Sequence, residues 1–176
     1  MYEPDPETIR SAASGDADAF EELVRNYQAH VWRFLRHLVG DPQLAEDVAQ
    51  EAFLRVYQKL DTFRFRSKFS TWVFQTAHNA GVDAIRARTR RERLLRSAPL
   101  PAQSSDPYAR VEVRAALASL SPKLRGAVVL VEVFGFGYRE AAAILDVPEG
   151  TVKSRVFQAR ERLSEWLADE ERVHEV

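Results

Sequence analysis

Apolar residues recur every three or four positions along most of this chain, the period of a helix with one buried side. In "DADAFEELVRNYQAHVWRFLRHLVG", Phe20, Leu23, Val24, Tyr27, Val31, Phe34, Leu35 and Leu38 keep that spacing, with Asp16 placed to cap the start and Gly40 to stop the helix. Asp41 and Pro42 then cap and open a second helix, "PQLAEDVAQEAFLRVYQKL". Its predicted buried stripe is Ala45, Val48, Ala49, Ala52, Phe53, Val56 and Leu60. A short loop around "DTFRFRSK" leads to a third long helix, "FSTWVFQTAHNAGVDAIRARTRR". No stretch alternates with period two for long enough to make a sheet, so the predicted fold is all-α.

The periodicity stops at "SAPLPAQSSDPY", residues 97–108, where prolines and serines replace the apolar stripe. The sequence therefore predicts two small helical domains, 1–96 and 109–176, joined by a flexible linker. In the second domain, "ARVEVRAALASL" is helical, Ser121 and Pro122 cap "PKLRGAVVLVEVF", and "GFG" ends it. "YREAAAIL" follows, with Ala141, Ala142 and Ala143 small enough for a close helix crossing; Asp146 and Pro148 break it, and Val147 can plug the core. The last helix, "EGTVKSRVFQARERL", has a narrow apolar stripe of Val152, Val156, Ala159 and Leu163. Its other face carries Thr151, Ser154, Arg155, Gln158 and Arg162, groups suited to base edges and phosphates. Helix, tight turn and polar-faced helix together make a helix-turn-helix, whose second helix enters a DNA major groove.

Composition narrows the chemistry. A length of 176 residues, 45% of them hydrophobic, is enough for two small cores. The absence of cysteine excludes disulfides and thiolate metal sites, and His30, His37, His78 and His174 lack a metal-ligand spacing. No cofactor, metal or catalytic residue is expected: there is no recognisable nucleophile constellation and no glycine-rich phosphate loop. No apolar run reaches membrane-spanning length and "MYEPDPETIR" does not resemble a signal peptide, so the reading is a soluble, cytoplasmic protein without membrane insertion. The net charge of −1 excludes a uniformly basic coat, but Arg86, Arg88, Arg90, Arg91, Arg93 and Arg96 crowd one stretch, and Glu165, Asp169, Glu170, Glu171 and Glu175 make an acidic tail.

Three stretches, in order, resemble one family. "AEDVAQEAFLRVY", "FRFRSKFSTWVFQTAHNAGVDAIRARTRR" and "YREAAAILDVPEGTVKSRVFQARERL" are similar to the small extracytoplasmic-function group of bacterial RNA polymerase sigma factors, over about Ala17 to Trp166. The resemblance implies a sigma-2-like helical bundle, a linker and a sigma-4-like helix-turn-helix domain. It implies as partners core RNA polymerase, through the beta-prime clamp helices and the beta flap, then promoter DNA, and an anti-sigma factor. Asp47, Gln50, Glu51, Leu54 and Gln58, opposite the buried stripe of the second helix, match the clamp-docking face. Arg64, Phe65, Arg66, Ser67 and Lys68, with Trp72 and Asn79, match the region that holds flipped minus-ten bases, Trp72 shaping the domain as Phe69 does. Where the family usually has Gly and an acid, this chain has Phe65 and Arg66, which makes the loop bulkier and more basic. Arg86, Arg88, Arg90 and Arg91 would meet minus-ten phosphates. Thr151, Lys153, Ser154, Arg155, Phe157 and Gln158 match the minus-thirty-five contacts. From the residues alone, a conventional helix-turn-helix regulator and an anti-sigma-like adaptor remain alternatives.

Overall fold

The computed structural model describes residues 1–95 and 111–174, so the 97–108 linker predicted from sequence lies outside the described residues. The chain divides into two compact units, Met1–Pro99 and Leu100–Val176. All regular structure among the described residues is helical.

The first unit holds α1 (Pro6–Ala13), α2 (Ala17–Val39), α3 (Pro42–Lys59), a single 3-10 turn (Leu60–Thr62) and α4 (Phe69–Leu95). Local chemistry sets the boundaries. The Asp16 carboxylate accepts from the Asp18 and Ala19 amides, which covers donors that the first turn of α2 leaves unpaired. A hydrogen bond from the Ser11 hydroxyl, ahead of those amides, holds the Asp16 carboxyl below its ordinary pKa. Gly40 ends α2 in the left-handed region, φ 76°, where a side chain is disfavoured. Asp41 caps α3 through the Leu44 amide, with Pro42 in its first turn.

Tyr27, Val31, Phe34, Leu35 and Leu38 of α2 are buried against α3 and α4, and each contributes about 1.5–3 kcal/mol by leaving water. Gly81 lets α4 lie close to α2: a Cβ there would stand 2.7 Å from Leu38 Cδ2 and 3.0 Å from Leu35 Cδ2. The predicted α3 stripe is buried except at Phe53, which is half-exposed, as are Phe20 and Val24 of α2. These three were expected in the core; instead they line a groove between α2 and α3.

α1 and the residues before it are an addition that periodicity does not reveal. Ile9 and Ala12 bury one side of α1, and the Tyr27 hydroxyl donates to the Tyr2 carbonyl at 2.7 Å. Glu3 reaches the start of α4, accepting from the Phe69 amide at 3.0 Å and the Ser70 amide at 3.2 Å. A carboxylate sixty-six residues away in sequence therefore caps α4.

The second unit contains α5 (Val111–Ser119), α6 (Pro122–Val128) with a π turn (Val129–Val133), α7 (Tyr138–Leu145) and α8 (Glu149–His174). The Glu140 side chain accepts from the Gly137 amide to start α7, and Asp146, at φ 52°, ends it. Ala141 and Ala142 are buried where α7 meets α8, while Ala143 faces solvent. Val152, Val156 and Ala159 are at most 1% exposed and Leu163 is half-buried, as the narrow stripe predicts. α8 runs on as one helix to His174, through Glu165, Asp169, Glu170 and Glu171 of the acidic stretch; Glu175 lies outside the described residues.

Candidate protein and nucleic-acid interfaces

Burial on one side of α3 leaves Asp47, Gln50, Glu51, Leu54 and Gln58 exposed on the other, with Leu54 57% accessible. Gln50 and Leu54 also border the groove between α2 and α3, of about 1000 Å³, which Phe20, Val24, Trp32, Phe53 and Tyr57 line. An exposed leucine beside half-exposed aromatics forms one continuous apolar surface, where isolated apolar residues would need no explanation. Sequence reading missed the groove wall. Tyr57, 55% exposed, was within its reach, because it continues the Gln50–Leu54 spacing by three residues. Trp32 and Phe20 were not, since they belong to another helix.

The loop before α4 rests on an aromatic cluster. Phe63, Phe69 and Trp72 have ring centroids 5.3 to 5.7 Å apart, and Phe63 also meets Phe65 at 4.8 Å. Phe69 is buried and Trp72 half-buried, so both shape the unit and only Trp72 reaches the surface. Phe65 holds φ 55°, a left-handed conformation that glycine adopts freely and a bulky side chain rarely does. The Arg10 guanidinium of α1 lies 5.1 Å from the Phe65 centroid, so the ring is held between α1 and Phe63. Arg64 donates to the Asp61 carbonyl, and Arg66, Ser67 and Lys68 are exposed.

Along α4 a helix turns about 100° per residue, so positions seven apart nearly superimpose in projection. Trp72, Asn79, Arg86 and Arg93 are such a series, and Arg90 falls on the same stripe; all but the half-buried Trp72 are exposed. Arg88 and Arg91 do not share it: Arg88 projects from the opposite side and pairs with Glu92 at 3.8 Å. The arginine run is thus several faces rather than one. Arg55 of α3 bridges to this helix, donating to Asp83 and to Glu51 at 2.9 Å each, and those bonds, Asp83 first, raise its pKa above the ordinary guanidinium value.

On α8, Ser154, Phe157 and Gln158 project away from the buried stripe and are exposed, with Phe157 62% accessible. Thr151 and Arg155 flank them half-buried, and the Ser154 hydroxyl donates to the Thr151 carbonyl at 3.0 Å. Lys153 is tied sideways: it pairs with Glu149 at 2.7 Å and lies 5.8 Å from the Tyr138 ring centroid. The Glu149 hydrogen bond raises the Lys153 pKa, so the ammonium stays charged. Lys153, rather than Phe157, occupies the Tyr138 face, which leaves the Phe157 ring open to solvent.

Among the described residues, no cluster of histidine and acidic side chains is arranged to hold a metal, and no helix is long and apolar enough to cross a membrane.

Comparison with known proteins matches both units. The family described as sigma-70 region 2 matches residues 23–91, and that described as sigma-70, region 4 matches residues 110–163. The extracytoplasmic-function RNA polymerase sigma factor SigC of Mycobacterium tuberculosis is 38% identical, over 92% of this chain and 88% of its own. SigW of Bacillus subtilis, of the same group, is 30% identical over 92% and 95%. Among solved structures, the sigma factor RpoE of Bartonella quintana, in complex with the anti-sigma factor NepR, superimposes with a TM-score of 0.75 at 29% identity, covering 85% of this chain and 96% of that one. Sigma factors of this kind initiate transcription as non-catalytic subunits, and this chain belongs to the extracytoplasmic-function group of the sigma-70 family.

Proposed function

We propose that this sigma factor divides its work between its two units as follows. Residues 1–96 dock on the beta-prime clamp helices of core RNA polymerase through Asp47, Gln50, Glu51, Leu54 and Gln58, with the adjoining α2–α3 groove taking apolar side chains. The loop from Arg64 to Lys68, with Asn79, receives bases extruded from the minus-ten element, while Arg86 and Arg90 meet the neighbouring phosphates. Residues 109–176 read the minus-thirty-five element through α8 and meet the beta flap. The protein has no catalytic step of its own; binding energy to the opened strand drives melting. It works in the cytoplasm, and an anti-sigma factor is its regulator, as NepR is the partner of RpoE in the similar structure.

The observation that carries the reading is the exposed stripe of α4, in which an amide at Asn79 is followed at one and two further turn-pairs by Arg86 and Arg93, with Arg90 between. A hydrogen-bonding group followed by cations in line suits a single strand with a charged backbone. Permanganate footprinting of holoenzyme on a promoter transcribed by the wild-type chain tests it. Asn79→Ala should slow the appearance of unpaired thymines more than it weakens closed-complex formation. A normal bubble at a normal rate would remove Asn79 from the site.

A further inference from the structure

The outward stripe of α4 holds one acid. Asp83 follows Asn79 by four residues and precedes Arg86 by three, so it stands between them on the same side, with its side chain 54% accessible. A carboxylate there repels the phosphates that its neighbours attract. Arg55 of α3 covers it. Arg55 Nη1 donates to Asp83 Oδ2 at 2.9 Å, and Arg55 Nε donates to Glu51 Oε1 at 2.9 Å. The Arg55 side chain is only 29% accessible, so its stem is packed and its fork is held in place by two carboxylates. An ion pair this exposed adds little to folding stability, yet it decides the local field that a passing phosphate meets.

We propose that Arg55 is a positioning residue for promoter opening: by pairing with Asp83 it offsets the one negative charge on the α4 stripe, so that a strand running past Asn79 to Arg86 and Arg90 meets no unpaired carboxylate on that stripe. Arg55 acts through Asp83 and does not touch the DNA. The inference rests on the reading of α4 as the strand-binding face. It differs from a purely mechanical role, in which the bridge staples α3 to α4 and its charge is incidental.

The test compares open-complex formation by holoenzyme carrying the wild-type chain, Arg55→Gln, or Arg55→Gln with Asp83→Asn, on a promoter fragment that the wild type transcribes. Arg55→Gln should slow opening roughly three- to tenfold near 0.05 M salt, and the defect should shrink toward 0.3 M as screening grows. The double variant, which still lacks the bridge and still frees Glu51 of α3 but has no carboxylate on the α4 stripe, should regain most of the wild-type rate. A double variant as slow as Arg55→Gln, or a defect independent of salt, means that the bridge is only a staple and overturns the proposal. An Arg86→Ala, Arg90→Ala variant separates the two levels. If it opens normally, α4 is not the strand-binding face and both ideas fall; if it is slow while Arg55→Gln is normal, only the role of Arg55 falls.

Discussion

Phe65 occupies a backbone conformation that costs an L residue about 1–2 kcal/mol, and its ring contacts with Phe63 and Arg10 offset part of that cost. The two contributions can be separated. Phe65→Ala loses the ring contacts and keeps the strain, whereas Phe65→Gly loses the contacts and relieves it. Urea unfolding should therefore find the alanine variant less stable than the glycine variant by about 1 kcal/mol. Equal stabilities, or the reverse order, would mean that the loop does not hold this conformation. The resemblance places Phe65 where the family is expected to carry glycine, but only as a gain of bulk. That this position is left-handed, and that Arg10 of α1 braces the Phe65 ring there, needed the fold.

At the scale of elements, legibility followed length. α2, α3 and α4 each carry enough turns for the period of 3.6 to be unmistakable, and Asp16, Gly40, Asp41 and Pro42 marked ends with a physical reason. α1 has eight residues and two buried positions, Ile9 and Ala12, too few to establish a period. The α2–α3 groove was hidden for another reason: periodicity says which side of a helix is apolar, not whether a neighbour fills the whole width of that side. Phe20, Val24 and Phe53 carry the same signal as their buried companions. The predicted docking face of α3 is testable as an element. Charge or size reversal at Asp47, Gln50 and Leu54 together should weaken co-purification with core polymerase and leave helical circular dichroism unchanged, because all three side chains are exposed. Normal co-purification of the folded triple variant would take α3 out of the interface.

Across the whole molecule, the proposed function has the two units act on two separate stretches of DNA while the first also holds polymerase. The fold class followed from periodicity, and the helix-turn-helix from a broken alanine-rich helix ahead of a polar-faced one. The sites were less legible, since a run of arginines in sequence says nothing of how it divides around a helix. Arg86 and Arg90 share a face with Asn79, while Arg88 pairs with Glu92 elsewhere. On α8 the same distinction picks out Ser154, Phe157 and Gln158 as outward, and ties Lys153 to Glu149. The most direct test of the account is transcription by core polymerase plus this chain from a promoter library randomised across both elements. The wild-type chain should enrich two separate sequence blocks among productive templates. A folded Thr151→Ala, Ser154→Ala, Gln158→Ala variant should lose preference in the upstream block alone, at roughly 1–3 kcal/mol per base pair no longer read. An unchanged upstream preference in that variant, or no transcription beyond that of core enzyme with the wild-type chain, would contradict the account.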